Sequence, residues 1–252
     1  MEGTAELRNA QMRMYEMLTY IDKVCREHDI QYSLDGGSVL GAIRHGGFIP
    51  WDDDVDLILT RDNYKKLCEV LLKNPHPQFV LQTPETDPLF LNHWNVLRDT
   101  HSEYIQDSKV HNLRKYRGLQ VDLFPIEDRV VILMHRGVNF LHNLNQNHIL
   151  GRCNGLARFL FNVSRKVLIP TVRLVSKVFG KKGLYTYGYG LPWCKWRYPE
   201  QVLFPYEEIK FEAGSFSGPK DPDQFLKIHY GNYMELPPED KRNPHQATYK
   251  MW

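Results

Sequence analysis

The chain has 252 residues, of which 42% are hydrophobic and 25% charged, and its formal net charge is +2. This composition suits a globular protein with a sizeable core and argues against general disorder. Its four cysteines (Cys25, Cys68, Cys153 and Cys194) are widely spaced with no CxxC pair. They point to reduced thiols rather than a zinc ribbon or a disulfide framework. The opening residues carry no apolar core of a signal peptide, and no apolar run approaches the roughly 20 residues that span a bilayer, so a cytoplasmic protein is expected.

In chain order, residues 5 to 29 place Leu7, Met14, Met17, Leu18, Ile21, Val24 and Cys25 at helical spacing among charges, which predicts an amphipathic helix. "QYSLDGG" reads as a short strand ending in a glycine turn. "SVLGAIRHGG" follows as a short helix with Ser38 as its N-cap, stopped by Gly46 and Gly47. "DVDLILT" suits a central strand, and "RDNYKKLCEVLLKN" a helix closed by Asn74-Pro75. "QFVLQT", "NVLRDT", "EYIQ" and "LQVDLFPIED" are strand-like pieces between turns.

The chemistry changes after Asp128. Between Arg129 and Pro199 there is no Asp or Glu, but 12 of the chain's 32 basic residues fall here, leaving 20 basic against 30 acidic residues elsewhere. "LARFLFNVSRKVLIPTVRLVSKVF" predicts one or two basic amphipathic helices, broken near Pro170. Mixed charge and turn-rich punctuation return after residue 200. The chain therefore divides into an α/β part over 1–128, a basic helical insertion over 129–199 and a closing segment over 200–252.

The segment with the most chemistry is "LDGGSVLGAIRHGGFIPWDDDVDLILT", which packs Asp52, Asp53, Asp54 and Asp56 into five positions. On a strand, Asp54 and Asp56 point to one face while Val55 and Leu57 point into the core. Two carboxylates side by side make a hard oxygen site for magnesium or manganese, and the cation offsets their repulsion. Asp122, an isolated acid between Val121 and Leu123, adds a third carboxylate, as a further metal ligand or as a base. Asp52 and Asp53 are read equally well as a solvated turn. "DDDVDL" lacks the glycine and distal glutamate of a calcium loop.

Gly36, Gly37 and Ser38 supply a complementary anion site, because glycines allow close backbone approach and a helix N-terminus offers free N–H groups. Arg44 is placed to reach the same phosphates, with His45 beside it. Phosphate at one side and metal at the other suit phosphoryl transfer.

These residues resemble the LicD family, whose members transfer phosphocholine and related groups to bacterial glycans. The wider group includes the eukaryotic fukutin-related ribitol-phosphate transferases. "LDGGSVLGAIRHGGFIPWDDDVDL" resembles its signature, "GLQVDLFPIED" its second acidic strand and "KIHYGNYMELPPEDKRNPH" its ending; the basic middle matches no shared motif. The resemblance implies a nucleotidyltransferase fold of polymerase-β type, a small mixed sheet flanked by helices. It also implies metal ligands at Asp54 and Asp56, with Asp122 as third ligand or base.

The chemistry so implied is attack by a glycan hydroxyl on a CDP-linked donor, with CMP leaving. A choline group needs an aromatic or acidic nest. Trp51 and Trp94 are candidates, and Tyr187, Tyr189, Trp193 and Trp196 are further aromatics. Arg98 and the cluster Arg114, Lys115 and Arg117 are candidates for the diphosphate or an anionic acceptor. The basic insertion suits an anionic membrane carrying a lipid-linked acceptor, or a cap that balances the acidic half. No motif supports nucleic-acid binding. Two other readings remain: a nucleotidyltransferase using CTP or ATP and releasing pyrophosphate, and a silent binder of nucleotide or glycan.

Overall fold

The computed structural model describes residues 4–106, 108–193, 195–238, 242 and 248–252; Cys194 and most of the stretch from 239 to 247, including part of the family-like ending, lie outside the described residues. The amphipathic pattern near the start forms helix α1 (Ala5–Glu27), capped by the Thr4 hydroxyl, which accepts from the Leu7 N–H. Its apolar face, with Met14, Met17, Leu18 and Ile21 fully buried, lies in the main core. At the polar edge of that face, Gln11 Nε2 donates to the carbonyls of Ile49 and Asp52, so α1 holds the start of the acidic loop.

Strand β1 (Ser33–Leu34) leads into helix α2 (Gly36–His45), followed by β2 (Asp56–Thr60) and α3 (Arg61–Lys73). Helix α2 begins two residues before Ser38, the expected N-cap, because Gly36 takes φ +45 and turns the chain at once. Asp35 therefore occupies the cap position, and the Ser38 hydroxyl instead accepts from the Asp56 N–H at 3.0 Å. Strands β3 (Phe79–Gln82), β4 (Asn95–Asp99) and β6 (Gln120–Glu127) complete most of the sheet. Between them lie β5 (Ser102–Ile105) and the short helix α4 (Lys109–Asn112). In the sheet order β1-β2-β6-β4-β3, β2 and β6 are parallel and the other neighbours antiparallel.

The basic segment supplies α5 (Ile132–Leu144), α6 (Asn154–Val163) and α7 (Ile169–Phe179). The expected break near Pro170 is absent. A π-helical turn over Ser164–Leu168 joins α6 directly to α7, and its wider spacing accommodates a residue that has no N–H to donate. The chain parts instead between α5 and α6, at Leu150–Cys153. After Phe179 the segment returns to the sheet as β7 (Leu184–Tyr187), antiparallel to β6, with β8 (Tyr198–Pro199) beyond it.

Short helix α8 (Glu200–Leu203) precedes the hairpin β9 (Glu207–Phe211) and β10 (Gly214–Gly218), which is followed by α9 (Pro222–Tyr230) and β11 (Thr248–Met251). Strand β11 pairs with β5 in a separate two-stranded ribbon. Together these elements form a mixed α/β structure, with a mixed sheet flanked by helices.

The helical insertion is clamped to the sheet by charge. Glu127, at the end of β6, is largely buried and accepts from Arg61 of α3 and from Arg173 Nε of α7, the latter at 2.9 Å. These arginines hold its carboxyl below the usual range despite burial. Glu127→Ala would leave two guanidiniums facing each other without an anion, and should cost about 3 kcal/mol in urea unfolding. A loss within experimental error of zero would show that packing alone docks α7.

Candidate active site

Three acids stand in a row, two on neighbouring strands and one just past the end of a third. Asp56 opens β2 and is in register with Asp122 on β6. On the other side the Asp35 N–H donates to the Asp56 carbonyl at 2.9 Å. Parallel pairing of β2 with β6 thus brings together two acids 66 residues apart, and the residue that follows β1 adds a third. Just upstream, one carboxylate oxygen from each of Asp52, Asp53 and Asp54 lies within 4.8 Å of the other two.

Two chambers open on these acids and share Asp54 and Asp56 as a common wall. The larger, about 500 Å³, is also lined by Gly37, Arg44, Trp51, Asp52 and Tyr230. The smaller, about 250 Å³, has Asp53, Trp94, Tyr104, Arg114, Asp122, Phe124 and Trp193 in its wall. The expected trio of Asp54, Asp56 and Asp122 therefore borders one space, the smaller chamber.

The glycines set the distances here. A Cβ on Gly37 would lie 2.7 Å from Asp52 Oδ2, so the missing side chain lets that carboxylate approach the start of α2. Ser38 is buried, and its hydroxyl joins α2 to β2. Arg44 donates to the Tyr233 carbonyl and to His45, and no carboxylate pairs with it among the described residues. The Arg242 guanidinium lies 5.4 Å from the centre of the Trp51 ring, so an aromatic face and two cations sit close together on this side.

On the other side, Trp94, Phe124 and Trp193 form one aromatic cluster, with ring centres 4.8 to 6.0 Å apart. Trp94 Nε1 donates to Asp122 Oδ1 at 2.7 Å, which fixes the carboxylate and the indole together. Trp51 and Trp94 line different chambers and do not form one cage.

Arg98, expected at the phosphates, is fully buried and lines neither chamber. It donates to Gln82 Oε1 and the Gly118 carbonyl, and acts on the site through its charge, which opposes the rise in the Asp122 pKa. Arg114, from the cluster before β6, reaches the smaller chamber.

Electrostatic crowding is severe. Burial, then the charges of Asp54, Asp122, Asp35 and Asp52, push the Asp56 carboxyl well above the usual range. Burial also raises Asp122, against the pull of Arg98, Trp94 and Arg114. Asp53 is held by two hydroxyl donors, Tyr104 at 3.1 Å and Tyr249 at 2.8 Å.

This arrangement has counterparts among known proteins. Residues 29–149 match the family described as LicD/FKTN/FKRP, nucleotidyltransferase domain. Over 258 aligned positions, covering 95% of each chain, the protein is 30% identical to the lipopolysaccharide cholinephosphotransferase LicD of Haemophilus influenzae. The chain belongs to the LicD family. A 42-residue stretch, 17% of this chain and 8% of the relative, is 52% identical to the human ribitol 5-phosphate transferase FKRP. An uncharacterized protein of Rickettsia prowazekii is 21% identical over 47% of the chain and 52% of its own length.

This LicD-family site contains a residue that the motif reading passed over. Asp35 is buried, accepts from the Tyr187 hydroxyl at 2.6 Å on Oδ2, and has no partner for Oδ1. Burial, partly opposed by that hydrogen bond, pushes its carboxyl up to about 7. In the unfolded chain the group ionises near 3.8. Between those pH values the folded state holds a proton that the unfolded state has released, so this group lowers stability as pH rises from about 4 to 7 and adds no slope above. In chelator, Asp35→Asn should therefore gain stability relative to the parent between pH 5 and 7.5, read from urea midpoints. Parallel pH profiles for the two proteins would refute the assignment.

Proposed function

We propose that this LicD-family phosphotransferase moves phosphocholine from a CDP-linked donor to a glycan hydroxyl and releases CMP. The observation that carries this reading is the pair of chambers meeting at Asp54 and Asp56. A CDP-linked alcohol has a nucleoside at one end, a small alcohol at the other and two phosphates between them. The larger chamber, with Trp51 and Arg44, suits the nucleotide end. The smaller, with Trp94, Phe124 and Trp193 beside Asp122, suits a quaternary ammonium, because aromatic faces and carboxylates both attract cations. The name of the Haemophilus relative supports the same choice.

The donor set fits a divalent metal. It consists of carboxylate oxygens, the ligands magnesium and manganese prefer, with Asp54 and Asp56 bordering both chambers and Asp122 the smaller one. Asp54 and Asp56, with Asp122 nearby, would hold the ion. When bound, it supplies positive charge to the transferring and leaving phosphate oxygens.

The remaining work falls to the chain. Arg44 and the start of α2 bind the nucleotide phosphates. The aromatic cluster orients the alcohol, and Asp122, held by Trp94, orients the acceptor hydroxyl and takes its proton. The hydroxyl oxygen bonds to the distal phosphorus, the P–O bond between the two phosphates breaks, and its electron pair leaves with CMP.

Asp56→Asn should lower turnover on the order of 10³-fold while circular dichroism stays unchanged; full activity in that variant would end the proposal. The substrate is tested by calorimetric titration of CDP-choline, CDP-ribitol and CTP, each with and without magnesium. Magnesium-dependent preference for CDP-choline is expected, and Trp193→Ala should weaken CDP-choline binding about tenfold while leaving CDP-ribitol little changed. A preference for CDP-ribitol would keep the mechanism and reassign the alcohol, in line with the short match to the ribitol 5-phosphate transferase. Binding of CTP with pyrophosphate release would replace the mechanism.

A further inference from the structure

No helix among the described residues is long and apolar enough to cross a membrane. Yet the helices of the basic segment turn large apolar side chains outward. On α5, Leu133, Phe140 and Leu144 are exposed by 81%, 66% and 41%, spaced seven and four residues apart on one face. Through α6, the π turn and α7 the pattern continues with Phe159, Val163, Val167, Leu174 and Val178, exposed by 42 to 76%. The opposite face, with Ala157, Phe161 and Ile169, is buried against the rest of the protein. This stripe is thus a second apolar face with no covering element among the described residues.

Cations flank it. Arg158, Lys166 and Lys177 each precede a stripe residue, which sets them about 100° round the helix from it. These three and Arg136 are exposed, and none pairs with a carboxylate among the described residues. A narrow cavity of about 160 Å³ opens between α5 and α6, with Leu141, Leu144, Leu160 and Val163 among its walls. Its inner side includes His142, whose ring lies 6.3 Å from that of Trp94 in the smaller chamber.

From this geometry we infer that the outer face of α5–α7 docks on the surface of an anionic lipid bilayer, the apolar stripe entering the acyl boundary and the flanking cations meeting lipid phosphates. Charge complementarity selects this occupant. A second copy would present the same cations to those of the first, and a neutral apolar partner would leave them without counter-ions. An amphipathic face with basic flanks has the chemistry of an interfacial helix. The cavity gives hydrocarbon a place to enter beside the aromatic chamber.

The test is flotation of the full chain with vesicles of phosphatidylglycerol and phosphatidylcholine, or of phosphatidylcholine alone, at about 50 and 500 mM salt. Binding to the anionic vesicles at low salt is expected, weakened by salt and by the double variant Lys166→Gln/Lys177→Gln. Phe159→Asp/Val178→Asp should reduce binding about tenfold or more. Both positions are solvent-facing, so circular dichroism and melting temperature should hold, and Leu133→Asp on α5 gives an independent check. Failure of the parent protein to float at low salt overturns the proposal, as does equal flotation of the aspartate variants. A dimer in light scattering, dissolved by Phe159→Asp/Val178→Asp and indifferent to vesicles, would assign the face to self-association instead.

Discussion

The site is organised around mutual repulsion. Asp35, Asp56 and Asp122 are drawn together by backbone pairing, with Asp52 and Asp54 close by, and the charges of the other four make a negative charge on Asp56 harder to hold. The fold meets this in two ways. Where a carboxylate serves the architecture it receives neutral donors: the Tyr187 hydroxyl for Asp35, and the Tyr104 and Tyr249 hydroxyls for Asp53. At Asp56 the side chain remains on the chamber wall, and its carboxyl holds a proton far more readily than an exposed one.

Much of this was legible in the residues, for reasons that can be named. Alternation around Asp56 and Asp122 identified two strands with an acid in each, while their parallel pairing in register comes from the structure. Gly36 and Gly37 announced a close approach, although the helix starts at the first of them because only φ > 0 gives the turn. What could not be read was contact across long separations. Asp35 looked like a turn residue until Tyr187, 152 positions away, was seen to hold it. Phe124 meets Trp94 through the pairing of β6 with β4, and Trp193 joins them only through the return of the chain to β7 and beyond. Arg98 shows the converse: a charge is expected outside, yet it lies inside, donating through Nε to Gln82 and through Nη1 to the Gly118 carbonyl, with Nη2 left without a partner.

The basic segment also proves more than an appendage. It sends α5–α7 outward, then returns Tyr187 to the acidic row and Trp193 to the aromatic chamber. Its helical periodicity was visible in the sequence. Periodicity fixes the width of an apolar stripe but not its direction, and here Glu127 turns one face of α7 toward the sheet and leaves the other to solvent.

The two tyrosines on Asp53 carry a consequence for how the protein is made. Tyr249 lies 196 residues beyond Asp53. At the usual pace of a ribosome that interval lasts about 10 to 40 s. The parallel partner strand, with Asp122, emerges well before the midpoint of that wait. Throughout the remainder Tyr249 is still unsynthesised, so of these two hydroxyls only that of Tyr104 is available to Asp53. The second donor to Asp53 therefore becomes available only long after both acidic strands have been made.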